Sequence, residues 1–138
     1  MDTLLLSGTT DEGETWTLHA EHTPRGPGVQ LQLHGPEGRP RWGTGERSTP
    51  LPAGRVIGGA WGTGDADEPA TWLVKLHADV RAVVVHLSDG TREDLTVVDD
   101  PHRSGVRWAV LVHPRRLDVH RVDLHDARGN ELADTVLP

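Results

Sequence analysis

The sequence predicts an all-β fold, a two-sheet immunoglobulin-like sandwich, with a small closed β-barrel as the alternative. Apolar residues recur with period two along most of the chain, the spacing of a strand with one buried face. No stretch shows the 3.6-residue period of an amphipathic helix. Gly, Pro, Asn and Asp clusters cut the chain into roughly nine or ten short runs, the punctuation of a sandwich or barrel. The 138 residues form one domain, 1–138. A chain of this size removes roughly two thirds of its unfolded surface from water, so it folds without metal or disulfide. Cysteine is absent, which excludes disulfides and thiolate chemistry.

The first strand falls at 3–6. Trp16, Leu18 and Ala20 then alternate with Thr17, His19 and Glu21, and Val29, Leu31 and Leu33 alternate with Gln30, Gln32 and His34. The Pro/Gly-rich stretch 23–28 between them reads as a loop. Residues 35–54 hold four prolines and several glycines and read as a long surface excursion, since proline removes ladder donors. A second excursion, 62–69, carries Asp65, Asp67 and Glu68. Further strands are predicted at 56–61, 72–77, 80–87, 94–98, 106–113, 117–124 and 131–136. Trp-Gly-Thr-Gly occurs at 42–45 and again at 61–64, too short a match to establish a repeat.

Two hairpin registers follow from the alternation. A three-residue loop at 88–90 pairs Val83 with Leu95 and Val85 with Glu93, aligning apolar residues on one face, and puts Gly90 in the left-handed region. The same logic at 127–129 sets Leu124 opposite Leu132 and His125 opposite Glu131. Leu117 and Val119 are out of phase with Val122 and Leu124, which calls for a β-bulge near His120 and Arg121. Trp108, in phase with Val106, Val110 and Val112, is the predicted central core aromatic, and Trp16 and Trp72 also read as core.

Nine histidines are the most unusual feature of the composition. They form no H-x-H or H-E-x-x-H spacing, and most, such as His19, His34 and His113, fall on the polar phase of their strands, as solvated residues do. No metal site is assigned; His19 and His34 are the weak alternative, with His125 beside Glu131 a further geometry of interest. The four serines sit in no G-x-S-x-G elbow. Asp99-Asp100 and Glu93-Asp94 read as solubilising edge charges, because neighbours on a strand point to opposite faces. No catalytic residue and no cofactor are assigned.

Twenty-one acidic against 14 basic residues give a net charge of -7, which repels phosphate backbones and excludes nucleic acid as a partner. The apolar run at 4–6 lacks the length and basic flank of a signal peptide or membrane span, so the chain reads as soluble and cytoplasmic with no membrane contact. Arg41, Trp42, Arg55 and Trp61 lie in or beside the two irregular stretches, and Arg and Trp most often anchor protein interfaces. They are the candidate binding residues for a protein partner or self-association.

Ser7-Gly8-Thr9-Thr10 followed by Trp16-Thr17-Leu18, then Ala78-Asp79-Val80 leading into Val83, Val85 and Leu87 with Asp89-Gly90, and finally 119–124 closing with 126–129, resemble a β-sandwich domain of actinobacterial proteins of unassigned function. The resemblance covers most of the chain, rests on strand and turn residues, and implies a sandwich without implying catalytic residues. The leading reading is a non-catalytic binding or assembly module using exposed edges and Trp/Arg-bearing loops. The alternative is a small β-fold enzyme, an isomerase, cyclase or hydrolase, with His as acid-base group or metal ligand.

Overall fold

The computed structural model describes residues 3–10, 12–63, 69–114 and 116–134, except the side chains of residues 40–42 and 63. Its described residues contain twelve strands and no helix. β1 (Leu4–Thr9), β2 (Thr15–Thr23), β3 (Gly26–His34) and β4 (Pro40–Arg47) form sheet A in sequence order. Sheet B has the order β5-β6-β10-β9, from β5 (Ile57–Thr63), β6 (Ala70–His77), β10 (Val106–His113) and β9 (Val98–Asp99). Sheet C has the order β12-β11-β7-β8, from β12 (Glu131–Leu132), β11 (Val119–His125), β7 (Ala82–Leu87) and β8 (Arg92–Leu95). All pairings are antiparallel. The described residues form three sheets where the sequence predicts two, and among them none is closed into a barrel.

The third layer arises because β6 and β10 are buried on both faces. Trp72, Val74 and Leu76 of β6, with Ala109 and Leu111 of β10, pack against Val83, Val85, Leu87 and Leu124 of sheet C. Leu73 of β6 and Val106, Trp108 and Val110 of β10 pack the other way, against Leu18, Val29 and Leu31 of sheet A. Sheet B is therefore the middle layer, with one apolar core on each side. This doubling also corrects the reading of His113, which is buried although Val112 beside it is core-facing. Its Nδ1–H donates to the Pro114 carbonyl at 2.9 Å.

The hairpin logic holds in detail. Val83 pairs with Leu95, Val85 with Glu93, Leu124 with Leu132 and His125 with Glu131. Gly90 and Gly129 have φ of 87° and 80°. The register of β11 shifts between Val119 and Arg121, the expected bulge. Trp108 is fully buried and Trp72 nearly so. Trp16 is half-buried against the A–B core, its ring lying over Gly8, where a Cβ would stand 2.5 Å from the indole.

Other boundaries differ. The predicted 23–28 loop is a two-residue turn at Pro24 and Arg25, entered by β3 through Gly26 at φ 114°. The predicted 35–54 excursion contains β4, an end strand on which Pro40 opens the ladder and costs no central hydrogen bond. A Cβ at Gly43 or Gly45 would stand 2.8 Å from the flexible end of Gln30, and at Gly43 also 3.0 Å from the Leu31 carbonyl oxygen, so side chains there would displace the Gln30 side chain. The predicted 94–98 strand is two, β8 in sheet C and β9 in sheet B, with the chain crossing between sheets at Thr96 and Val97. Residues 135 and 136 of the last predicted strand, and Asp65, Asp67 and Glu68, lie outside the described residues.

Gly59, inside β5, has φ 122°, and a Cβ would land on the Leu73 carbonyl oxygen. Gly90 has open space around it. Gly90→Ala is expected to cost only the left-handed backbone penalty of about 1 kcal/mol. Gly59→Ala is expected to cost at least about 3 kcal/mol, since it adds displacement of a central-sheet carbonyl. Urea unfolding of both variants measures the difference; equal costs would contradict the close approach of β5 to β6.

Candidate functional site

The densest group of buried polar side chains lies at the A–B seam. Lys75, the only lysine in the chain, stands on β6 directly opposite Trp108 of β10 and is 6% exposed. Its ammonium donates to the Arg47 carbonyl and the Thr49 hydroxyl, each at 3.0 Å. It lies 3.9 Å from a Glu46 carboxylate oxygen and 5.8 Å from the Trp108 ring centroid. Burial pushes the Lys75 amine below the usual lysine range, and Glu46 and Asp100 partly oppose that.

Asp100, which follows β9, is 5% exposed. One carboxylate oxygen accepts from Ser48 Oγ at 2.8 Å and Trp108 Nε1 at 3.0 Å. The other accepts from the Ser104 backbone N–H at 3.1 Å and its hydroxyl at 2.6 Å. Arg103 adopts φ 56°, the left-handed turn that swings Ser104 onto the carboxylate. Burial pushes the Asp100 carboxyl up, but hydrogen bonds from Ser104, Trp108 and Ser48 outweigh it and hold the group below the usual carboxylate range. Asp100 is thus an internal fastener and not the edge charge its sequence position suggests. Asp99 keeps that role, exposed and 3.2 Å from Arg107 Nε.

This group is committed to structure. Lys75 spends two of its three donors on seam acceptors, and Asp100 holds four donors from three residues. A nearby cleft of about 430 Å3 runs between the β2–β3 turn and the end of β4, lined by Glu21, Arg25, Glu46 and Arg47. On the outer face of sheet C, His86 Nε2–H donates to Asp123 Oδ2 at 2.8 Å, and Arg121 donates to the same oxygen at 3.1 Å. The His86 bond is the main cause holding Asp123 below the usual carboxylate range.

The sequence-derived binding residues are not gathered into one site. Arg41 and Trp42 lie on β4, and their side chains fall outside the described residues. Arg55 is 42% exposed and paired at the surface: its Nε is 3.0 Å from Asp134, and its NH2 donates to the Ile57 carbonyl at 3.2 Å. Trp61 is 53% exposed on β5, an end strand of sheet B. Its ring stacks on cross-strand Trp72, centroids 4.5 Å apart and planes 11° apart. His19 and His34 do not form a site. They pair with Gln30 and Thr15, four positions apart on the same ladder, a separation of about 14 Å. His125 and Glu131 are cross-strand neighbours at the end of sheet C. Among the described residues no three His, Asp or Glu side chains gather as a metal-binding group, and no helix is long and apolar enough to cross a membrane.

Sequence reasoning missed Lys75 and Asp100. The available signal was Lys75 inside Leu73-Val74-Lys75-Leu76, a run apolar on both phases. Comparison with family models, curated proteins and solved structures finds no match to this chain.

Asp100→Ala leaves the Trp108 N–H and the Ser48 hydroxyl without their acceptor at a buried seam and is expected to cost about 3 kcal/mol. Because the folded-state carboxyl is held below its unfolded value, its contribution is complete above the unfolded pKa, about 3.9, and fades as pH falls through the lower folded value. Thermal unfolding from pH 7 to pH 2 is expected to show the wild-type advantage over Asp100→Ala narrowing at the acid end. A constant gap contradicts the assignment.

Proposed function

We propose that the chain is a non-catalytic binding module that holds a protein partner at the β5 edge, with Trp61 as its anchor. The observation that carries this reading is the half-exposed Trp61 ring backed by Trp72. An exposed indole held in one orientation offers a large apolar contact at low ordering cost, the property of interface hot spots. Gly58, Gly59 and Gly62 of the same strand place no side chain beside the ring. The seam hydrogen bonds of Lys75 and Asp100 agree with a structural role for these two buried groups. In this reading sheets B and C are the immunoglobulin-like pair, and the protein works in the cytoplasm.

The test is affinity capture from an extract of the host, with wild-type protein and Trp61→Ala as parallel baits. Loss of the stacked pair is expected to lower stability by only about 1 kcal/mol, so the variant remains folded, as a near-ultraviolet dichroism spectrum verifies. A protein retained by the wild type is expected to bind Trp61→Ala at least about 30-fold more weakly, the loss typical of a tryptophan hot spot. Equal retention by both baits, or no protein retained by the wild type, overturns the reading.

A further inference from the structure

Among the described residues the three sheets present six end strands: β1 and β4, β5 and β9, β12 and β8. An end strand offers unpaired backbone N–H and C=O groups, and proteins normally protect it by shortness, charge, proline or cover. β9 and β12 are two residues long, and β8 is four residues with Arg92, Glu93 and Asp94. β4 opens at Pro40, and the Arg47 carbonyl at its end is capped by Lys75. β5 packs beside β4, and Arg55 covers the Ile57 carbonyl. Among the described residues β1 is the edge with least protection: it is six residues long, no charged residue or proline occurs from Thr3 to Thr10, and its one bulge lies at its start, between Leu4 and Leu6.

The ladder fixes which of its groups face outward. The Thr10 N–H donates to the Glu14 carbonyl, and Gly8 and Leu6 pair with Trp16 and Leu18. Hydrogen-bonded and non-bonded pairs alternate in an antiparallel ladder, so the N–H and C=O of Ser7 and Thr9 point away from β2. A bulge between Leu4 and Leu6 turns both Leu5 and Leu6 toward the A–B core and leaves Leu4 54% exposed. From Leu6 to Thr9 the register is regular.

Charge narrows the occupant. In the sequence the uncharged run is bounded by Asp2 on one side and by Asp11 and Glu12 on the other, in a chain of net charge -7. We propose that the outer edge of β1 takes an extended segment of a partner protein, uncharged at its centre and basic at both ends, as a fifth strand of sheet A. A second copy is disfavoured, because it carries the same net charge of -7 and the same acidic residues beside the run in its sequence. The proposal rests on reading the chain as a binding module but uses a different edge from Trp61, so the two fail separately.

The test uses two fluorescent synthetic peptides of alternating valine and threonine, one with an arginine pair at each end and one with glutamate pairs. Both are titrated against the full chain by fluorescence anisotropy. The arginine-flanked peptide is expected to bind wild type and Trp61→Ala alike, and the glutamate-flanked peptide at least roughly tenfold more weakly. Ser7→Pro removes an outward N–H without breaking a bond to β2 and is expected to weaken binding at least roughly tenfold. Amide exchange on the wild type checks the site independently of that variant's folding: the Ser7 and Thr9 amides are expected to slow when the arginine-flanked peptide is bound. Equal binding of the two peptides, no binding of either, or unchanged Ser7 and Thr9 exchange overturns the proposal. A wild-type dimer in sedimentation that Ser7→Pro abolishes also overturns it, by giving the edge to a second copy.

Discussion

The fold depends on sheet B being covered on both faces. A strand with one wet face can alternate apolar and polar residues, but β6 and β10 have no wet face. Their residues are therefore apolar in both phases, from Leu73 and Val74 through Ala109, Val110 and Leu111. Any charge placed there must find partners within the protein, because burying an ion without them costs several kcal/mol. Arg107 of β10 pairs with Asp99 beside it, and Lys75 is the charge at the A–B seam. It reaches the end of β4, where the Arg47 carbonyl and Thr49 receive it, while Asp100 draws Ser48, Ser104 and Trp108 together from three parts of the chain. The same atoms that satisfy the buried charges tie sheet A to the middle layer.

This economy shapes what the molecule can do. Lys75 and Asp100 are spent on holding layers together, and the surface carries cross-strand hydrogen bonds such as His86 to Asp123. What stays available is backbone and ring: the uncharged edge of β1, and Trp61 standing on Trp72 at the edge of sheet B. Both proposals rest on shape, stacking and backbone hydrogen bonding, and they call on separate surfaces because the two features belong to different sheets.

Local chemistry was legible in the sequence wherever alternation and turn residues agree. Gly90 and Gly129 declare their turns, and matching Val83 to Leu95 and Leu124 to Leu132 leaves one sensible register. The β11 bulge follows from the phase change between Val119 and Val122. The third layer was not legible, since period two in Val106, Trp108 and Val110 says which residues share a face but not that the opposite face is also covered. β4 was hidden because its glycines make room for Gln30, a cross-strand demand invisible along one strand. The candidate site was less legible still. Trp61 could be named from its residue type, but the pairing of Arg55 with Asp134 joins residues far apart in the sequence and could not. Asp100 could not be told from Asp99, because only the crossing of the chain between sheets decides which of the two is buried.

Residue-resolved hydrogen exchange on the wild-type chain tests the central claim most directly. If sheet B is the doubly covered middle layer, the slowest amides are those of β6 and β10 between Thr71 and Val112, and they open only with global unfolding. If amides of β2 and β3, or of β7 and β11, outlast them, sheet B is not the layer on which the other two depend, and the account is wrong.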